Sequence, residues 1–274
     1  MTWPMMDSGI ALLGGADTAT SLPTTLTANA TPNADGAWVE LITLTTFPVS
    51  SLILTLINAT ATAGVARPIL LDIGVGGAGS ETVLVSHVYI GSQAGSRYYE
   101  LPIRVPTGTR LSARIRAAVT VDTAQVQLIA RGGGWNQIAS ASRATTYGDV
   151  GASSSGTLLT AIVAGNTKAA WTQLTASTTN PLRWLLVSIS GPVDEATWTS
   201  RTCLTDIGFG AAASEVALIS NIAGSWSSSE SYTGNPILIP CELPIGTRLV
   251  ARYQADATSG APTERPSVVV IGFD

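Results

Sequence analysis

The sequence predicts an all-β protein: two tandem antiparallel β-sandwich domains, jelly-roll-like, produced by an internal duplication. Three observations predict it. Helical periodicity is scarce, whereas short runs rich in β-branched and aromatic residues recur between Gly, Pro, Asn and Ser. The phrase LLDIGVGGAGSE at 70–81 returns as LTDIGFGAAASE at 204–215, with 8 of 12 positions identical. A second phrase, VPTGTRLSAR at 105–114, returns as LPIGTRLVAR at 243–252 with 7 of 10 identical, and Trp38 in GAWVEL pairs with Trp171 in AAWTQL. The landmarks keep their order and each copy is of domain size, which marks a pair of domains and not a solenoid.

Residues 1–22 precede the first copy and read as an N-terminal arm. The first sandwich is expected over 23–131, with strands in WVELITLT (38–45), SLILTLIN (51–58), PILLDIGVG (68–76), ETVLVSHVY (81–89), YYELPIRV (98–105), TRLSARIRA (109–117) and AQVQLIA (124–130). These segments are short and suit a pleated, half-buried surface, as in a jelly-roll or immunoglobulin-like sandwich. In TRLSARIR, Arg110, Ser112, Arg114 and Arg116 share one face while Leu111, Ala113 and Ile115 share the other, so one side is core and the other wet. The Gly- and Ser-rich stretch 132–156 reads as a linker. The second sandwich, 157–274, repeats the layout.

Hydrophobic residues make 45% of the 274 residues and charged residues only 12%, about half the usual share. The exterior is therefore built largely from Ser, Thr, Ala, Gly and Asn, which defend poorly against association, and other subunits are expected to cover much of it. Net charge is −4 and Lys168 is the single lysine, so there is no basic run to neutralise phosphates and no nucleic-acid partner is expected. The apolar run near Leu52–Ile57 is too short to span a bilayer, and MTWPMMDSGI lacks the layout of a signal peptide. Neither a membrane partner nor signal-dependent secretion is expected. Cys203 and Cys241 stand where the first copy has Ile69 and Ile103, and read as small buried hydrophobes; a disulfide between neighbouring strands is the alternative.

Gly74, Gly76 and Gly79 spell G-x-G-x-x-G, but the residues after them, ETVLVSHVYI at 81–90, read as a strand, whereas a dinucleotide site needs a helix there. No cofactor is expected. Asp72, Gly74, Gly76, Glu81, Arg110 and Arg114 recur as Asp206, Gly208, Gly210, Glu215, Arg248 and Arg252. Glycines at a tight corner, with carboxylates and arginines bonding the adjoining loop, account for the set structurally. His87, the single histidine, becomes Asn221 in the second copy, and no G-x-S-x-G elbow accompanies it, so neither catalytic nor metal-binding residues are expected. The copies differ most between Glu81 and Pro106, 25 positions, and between Glu215 and Pro244, 29 positions. Tyr98, Tyr99, Trp226 and Tyr232 in these stretches are candidate recognition-loop residues, the alternative being aromatics that fold back over the domain's own edge.

The combination D-I-G-x-G-x-x-x-S-E, followed by P-x-G-T-R-L-x-A-R, resembles segments of virion proteins of tailed bacteriophages, particularly small β-rich tail, baseplate or decoration components. The resemblance covers roughly residues 25–130 and 157–274. It implies a structural subunit of a virus particle, located in the virion, with other virion proteins as partners and no catalytic residues. Three copies of a two-domain chain can form a ring of pseudo-six-fold symmetry, and a homo-oligomer, trimer or ring, is the expectation. A module that binds a host-surface glycan and a capsid decoration protein are the alternatives, and a hydrolase of cell-wall sugars ranks behind them.

Overall fold

The computed structural model describes residues 10–13, 23–60, 69–90, 97–120, 122–132, 140–191, 201–226, 236–257 and 265–274; the side chains of 10–13, 57–60, 201 and 226 lie outside the description. The first copy contributes β1 (Ile10–Leu13), β2 (Thr24–Thr27), β3 (Val39–Ile42), β4 (Val49–Thr60), β5 (Ile69–Val75), β6 (Thr82–Ile90), β7 (Arg97–Leu101), β8 (Leu111–Ala117) and β9 (Thr123–Gly132). The second contributes β10 (Ala144–Tyr147), β11 (Asp149–Val150), β12 (Ser155–Leu158), β13 (Thr172–Thr175), β14 (Leu182–Ser190), β15 (Arg201–Phe209), β16 (Val216–Trp226), β17 (Ile237–Leu243), β18 (Leu249–Ala255) and β19 (Ser267–Phe273). A single 3-10 turn, Gly151–Ser153, interrupts the described strands.

The protein is all-β, and each copy is a sandwich of two antiparallel sheets. In the first, β2-β9-β4-β7 faces β3-β8-β5-β6; in the second, β12-β19-β14-β17 faces β13-β18-β15-β16. The chain changes sheet at every connection from β2 to β9 except β5–β6, and does the same from β12 to β19 except β15–β16. That order is the jelly roll, which wraps one core with eight strands. Alternation along the strands fills it: Leu52, Leu54 and Leu56 of β4, Val126 and Leu128 of β9, and Leu71, Ile73, Ala113 and Ile115 opposite them are all buried. Each such aliphatic side chain contributes about 1.5–3 kcal/mol by leaving water.

Two boundaries differ from the sequence expectation. Residues 144–156, read as linker, form β10, β11 and the first residues of β12, which begins the second sandwich. Residues 10–13, read as arm, pair with β9 through Ile10↔Arg131 and Leu13↔Leu128, as Ala144↔Phe273 and Tyr147↔Val270 join β10 to β19. The repeat thus extends further toward the N-terminus of each copy. Glycine and serine content reports low helix propensity, whereas a four-residue edge strand gains its order from the strand it bonds to.

The copies pack against each other asymmetrically. The outward face of the β19 sheet closes the open side of the first sandwich, so that Leu186, Ile271 and Phe273 join its core, and Val269 packs with Leu70 and Tyr89. Tyr89 Oη lies 2.7 Å from Ser267 Oγ, Thr146 Oγ1 donates to the Ser86 carbonyl, and Ser154 Oγ donates to Asn33 Oδ1 at 2.8 Å. These bonds satisfy polar groups that the apolar contact would otherwise bury unpaired.

Candidate functional site

The repeated charges surround a β-bulge. Pairing of β5 with β6 shifts register around Asp72, and pairing of β15 with β16 shifts around Asp206. Opposite them His87 and Asn221 adopt left-handed backbone, with φ 54 and 62, a region that His and Asn visit more readily than most residues. The Asp72 carboxylate accepts the His87 N–H at 2.9 Å, and Asp206 accepts the Asn221 N–H at 2.9 Å. Their other oxygens accept Arg114 Nε and Arg252 Nε, each at 2.9 Å. Each guanidinium lies over an indole, Arg114 at 4.4 Å from the Trp38 centroid and Arg252 at 4.2 Å from Trp171. A Cβ on Gly74 or Gly208 would stand 2.8 Å from that indole, which explains glycine at both positions through close approach.

A second staple holds the following loop. Gly76 and Gly210 sit at φ 117 and 116, where a side chain would be strained. Arg110 donates to the Gly76 carbonyl at 3.2 Å, Glu81 Oε1 at 2.8 Å and Glu40 Oε2 at 2.6 Å. Arg248 repeats this with Gly210 at 3.1 Å, Glu215 at 2.9 Å and Gln173 at 2.9 Å. The arginines hold the carboxyls of Glu81 and Glu215 below the usual carboxylate range. The glycine cluster therefore turns a β5–β6 hairpin, and no helix N-terminus succeeds it to bind a pyrophosphate.

The sites diverge at their rim. In the first copy Asp35 binds Arg114 Nη2 at 2.7 Å and Arg116 Nε at 2.7 Å. Lys168 occupies the corresponding position of the second copy, and its Nζ lies 2.5 Å from Asp206 and 2.8 Å from Asn221 Oδ1. Burial works against ionising Asp206, but the Lys168 ammonium, the Asn221 amide and Arg252 overcome it and hold its carboxyl below the usual range. His87 Nδ1 lies 2.6 Å from Asp149 Oδ2 of the second copy, and Nε2 is 4.0 Å from Asp72. Asp35, Asp72 and His87 each offer an atom within 4.8 Å of the others, a spacing suited to a metal ion. Arg114 and Arg116 already neutralise the two carboxylates, and in the second copy the Lys168 ammonium fills the same role. The arrangement locks a bulge and balances buried charge.

Two of the four candidate recognition residues can be placed by side chain. Tyr98 is 59% exposed on the outward face of β7. Tyr99 is a correction: it points into the core, is fully buried, and donates from Oη to the Tyr89 carbonyl at 3.0 Å, with burial pushing its phenol up to about 12. Strand alternation sends these neighbours to opposite faces, which a loop reading of the segment missed. The backbone of Trp226 ends β16 opposite Arg201, and Tyr232 lies outside the described residues. Cys203 is buried, Cys241 is half-buried, and neither forms a disulfide. Sequence reasoning missed the roles of Asp35, Lys168, Trp38 and Trp171. A usable signal for the bulge lay in the shared 15-residue spacing of Asp72 to His87 and Asp206 to Asn221.

No family model matches the chain, and no curated protein does. Among solved structures, PNGF-II in a C2 crystal form is similar over 97% of this chain at 9% identity with a TM-score of 0.43; the match spans 65% of the PNGF-II chain. The N-terminal CBM22-1–CBM22-2 tandem of Paenibacillus barcinonensis Xyn10C is similar over 100% of this chain and 92% of its own, at 11% identity and a TM-score of 0.27.

Proposed function

We propose that this chain is a non-catalytic structural subunit of a tailed-bacteriophage particle, a tail, baseplate or tail-tip component that assembles through its sandwich faces as a homo-oligomer. The observation that carries the reading is the use of the scarce charge. The arginines and carboxylates common to both copies bond to each other and to backbone around a bulge and a loop, with the Asp72 and Asp206 carboxylates buried. Such staples set the shape of a building block. The virion-like phrases, now seen as these staples, agree with a subunit whose repeated residues serve rigidity. Mass spectrometry and cryo-electron microscopy of gradient-purified particles from cells expressing the gene test it. The chain is expected in several copies at a fixed location, and its absence from particles while abundant in the lysate would reject the reading.

A second reading, a module for host-surface glycan, rests on Tyr98, whose exposed ring could stack on a sugar. Glycan-array binding that disappears in Tyr98→Ala would favour it over the structural role.

A further inference from the structure

The interface between the two copies is used once inside the chain, and its two halves are left open at opposite ends. In the first copy the side of the sandwich bounded by β6 and β7 is closed: Val85, Ile90 and Tyr99 are fully buried, and Leu70 and Tyr89 are 1% and 2% exposed. The matching positions of the second copy, by strand register, are Ile219, Gly224, Ile237, Leu204 and Ala223. Four of these are half-buried and Ala223 is exposed. A concavity of about 470 Å³ opens beside them, lined in part by Leu204, Ala223, Gly224 and Gln254. The face that closes the first copy belongs to β14 and β19. Its counterpart on β4 and β9 presents Ile53, Gln127, Ile129 and Arg131, all half-buried, where the closing face has Leu186, Val269, Ile271 and Phe273.

We propose that a second copy of this chain docks head to tail, the outward β9-sheet face of one molecule closing the open β16–β17 side of the next. The internal interface supplies the geometry, since the operation relating the first copy to the second carries the filled contact onto the open one. Such a contact is heterologous: it closes into a ring or continues as a filament, according to the rotation between subunits. The concavity carries one acidic residue, Asp256, in its lining. Arg131 is already paired with Glu100 at 3.6 Å, and Ser220, Asn221 and Gln254 on the other side are uncharged. Replacement of Val269 and Tyr89 by Gln127 and Ala223 makes the contact more polar than the internal one. It is therefore weaker and depends on concentration, whereas the internal contact is permanent.

The proposal rests on the structural-subunit reading but is tested apart from it. Sedimentation velocity of the full chain from about 1 to 100 μM, a range spanning moderate affinities, is expected to show growth beyond two subunits. Ala223→Glu spoils the open side and Gln127→Glu spoils the covering face, both at solvent-accessible positions, and each alone is expected to be monomeric. Mixed one to one, they are expected to form a two-chain species that grows no further, because one sound surface remains on each. Circular dichroism verifies folding, and Ser220→Arg with Gln125→Arg replaces the pair if either variant unfolds. A wild-type monomer throughout, a two-fold dimer untouched by either substitution, or a mixture that fails to pair overturns the docking. A chain found in particles that does not self-associate overturns the docking alone; self-association of a chain absent from particles overturns the function alone.

Discussion

Strands β9 and β19 hold the same place in their sandwiches, yet β9 alternates buried and half-buried residues over its length while β19 is buried at every position. Their inward residues are alike: Val126 and Leu128 answer to Val268 and Val270. Apart from Ile129 and Ile271 their outward residues differ: Gln125, Gln127 and Arg131 on β9 are half-buried and reach solvent, whereas Ser267, Val269 and Phe273 on β19 face the first copy. A strand buried on both sides loses its polar alternation, as strands of fully covered sheets do. Duplication thus preserved what builds the fold, the bulge carboxylate, its arginine and the indole beneath it, and changed what depends on the neighbour.

The comparison breaks first at Tyr89. Tyr89→Ala installs the residue of the second copy in a covered position and is expected to cost about 3–5 kcal/mol in urea unfolding. Ala223→Tyr, at the exposed counterpart, should stay within about 0.5 kcal/mol in the monomer; equal effects would mean that the two sides are equally covered. Next come the bulge carboxylates. Asp206→Ala leaves Arg252 and Lys168 without their carboxylate and should cost about 3 kcal/mol, more than Asp72→Ala, after which Arg114 keeps Asp35 at 2.7 Å. Chemical denaturation of the two variants side by side decides the ranking.

A smaller effect is expected in the loop. Ala213 sits at φ 66 where its counterpart Gly79 sits at φ 79, so Ala213→Gly should raise stability by about 1 kcal/mol and Gly79→Ala should lower it by a similar amount. The finest distinction concerns pH. The hydrogen bond with Asp149 raises the pKa of His87, burial opposes it, and Asp72 and Asp149 add attraction against a contribution from Arg116, leaving it above the ordinary 6.5. The resulting stability is present in full below that ordinary value and is lost as pH climbs through the raised one. Thermal melts of the wild type should therefore fall across this window. His87→Asn, which restores the residue of the second copy and tolerates the same backbone, should remove that slope.

Much of the architecture could be read directly. All seven expected strands of the first copy are present, because β-branched alternation between turn residues is a local property that survives in any context. The repeated Asp, Glu, Arg and Gly residues were likewise visible, and they converge on two staples. What escaped were features in which a distant segment supplies the partner. Residues 144–147 look like linker until β19 bonds to them, and Tyr99 looks like a loop aromatic until strand parity turns it inward. Asp35 and Lys168, opposite in charge at one repeat position, make sense only beside the Asp72–Arg114 and Asp206–Arg252 pairs that each completes.

Local periodicity and the duplicated phrases fix the strands, the two-copy plan and the charged groups that cannot be left unpaired, since these arise from short-range sterics and from the cost of burying charge. Which sheet face is covered, which β-bulge meets a neighbouring carboxylate and which side stays open depend on how one folded copy docks on the other. That choice was made by complementary surfaces assembled from residues far apart in the chain, and it is why Val269 is buried while Gln127, at the same place in the repeat, meets water.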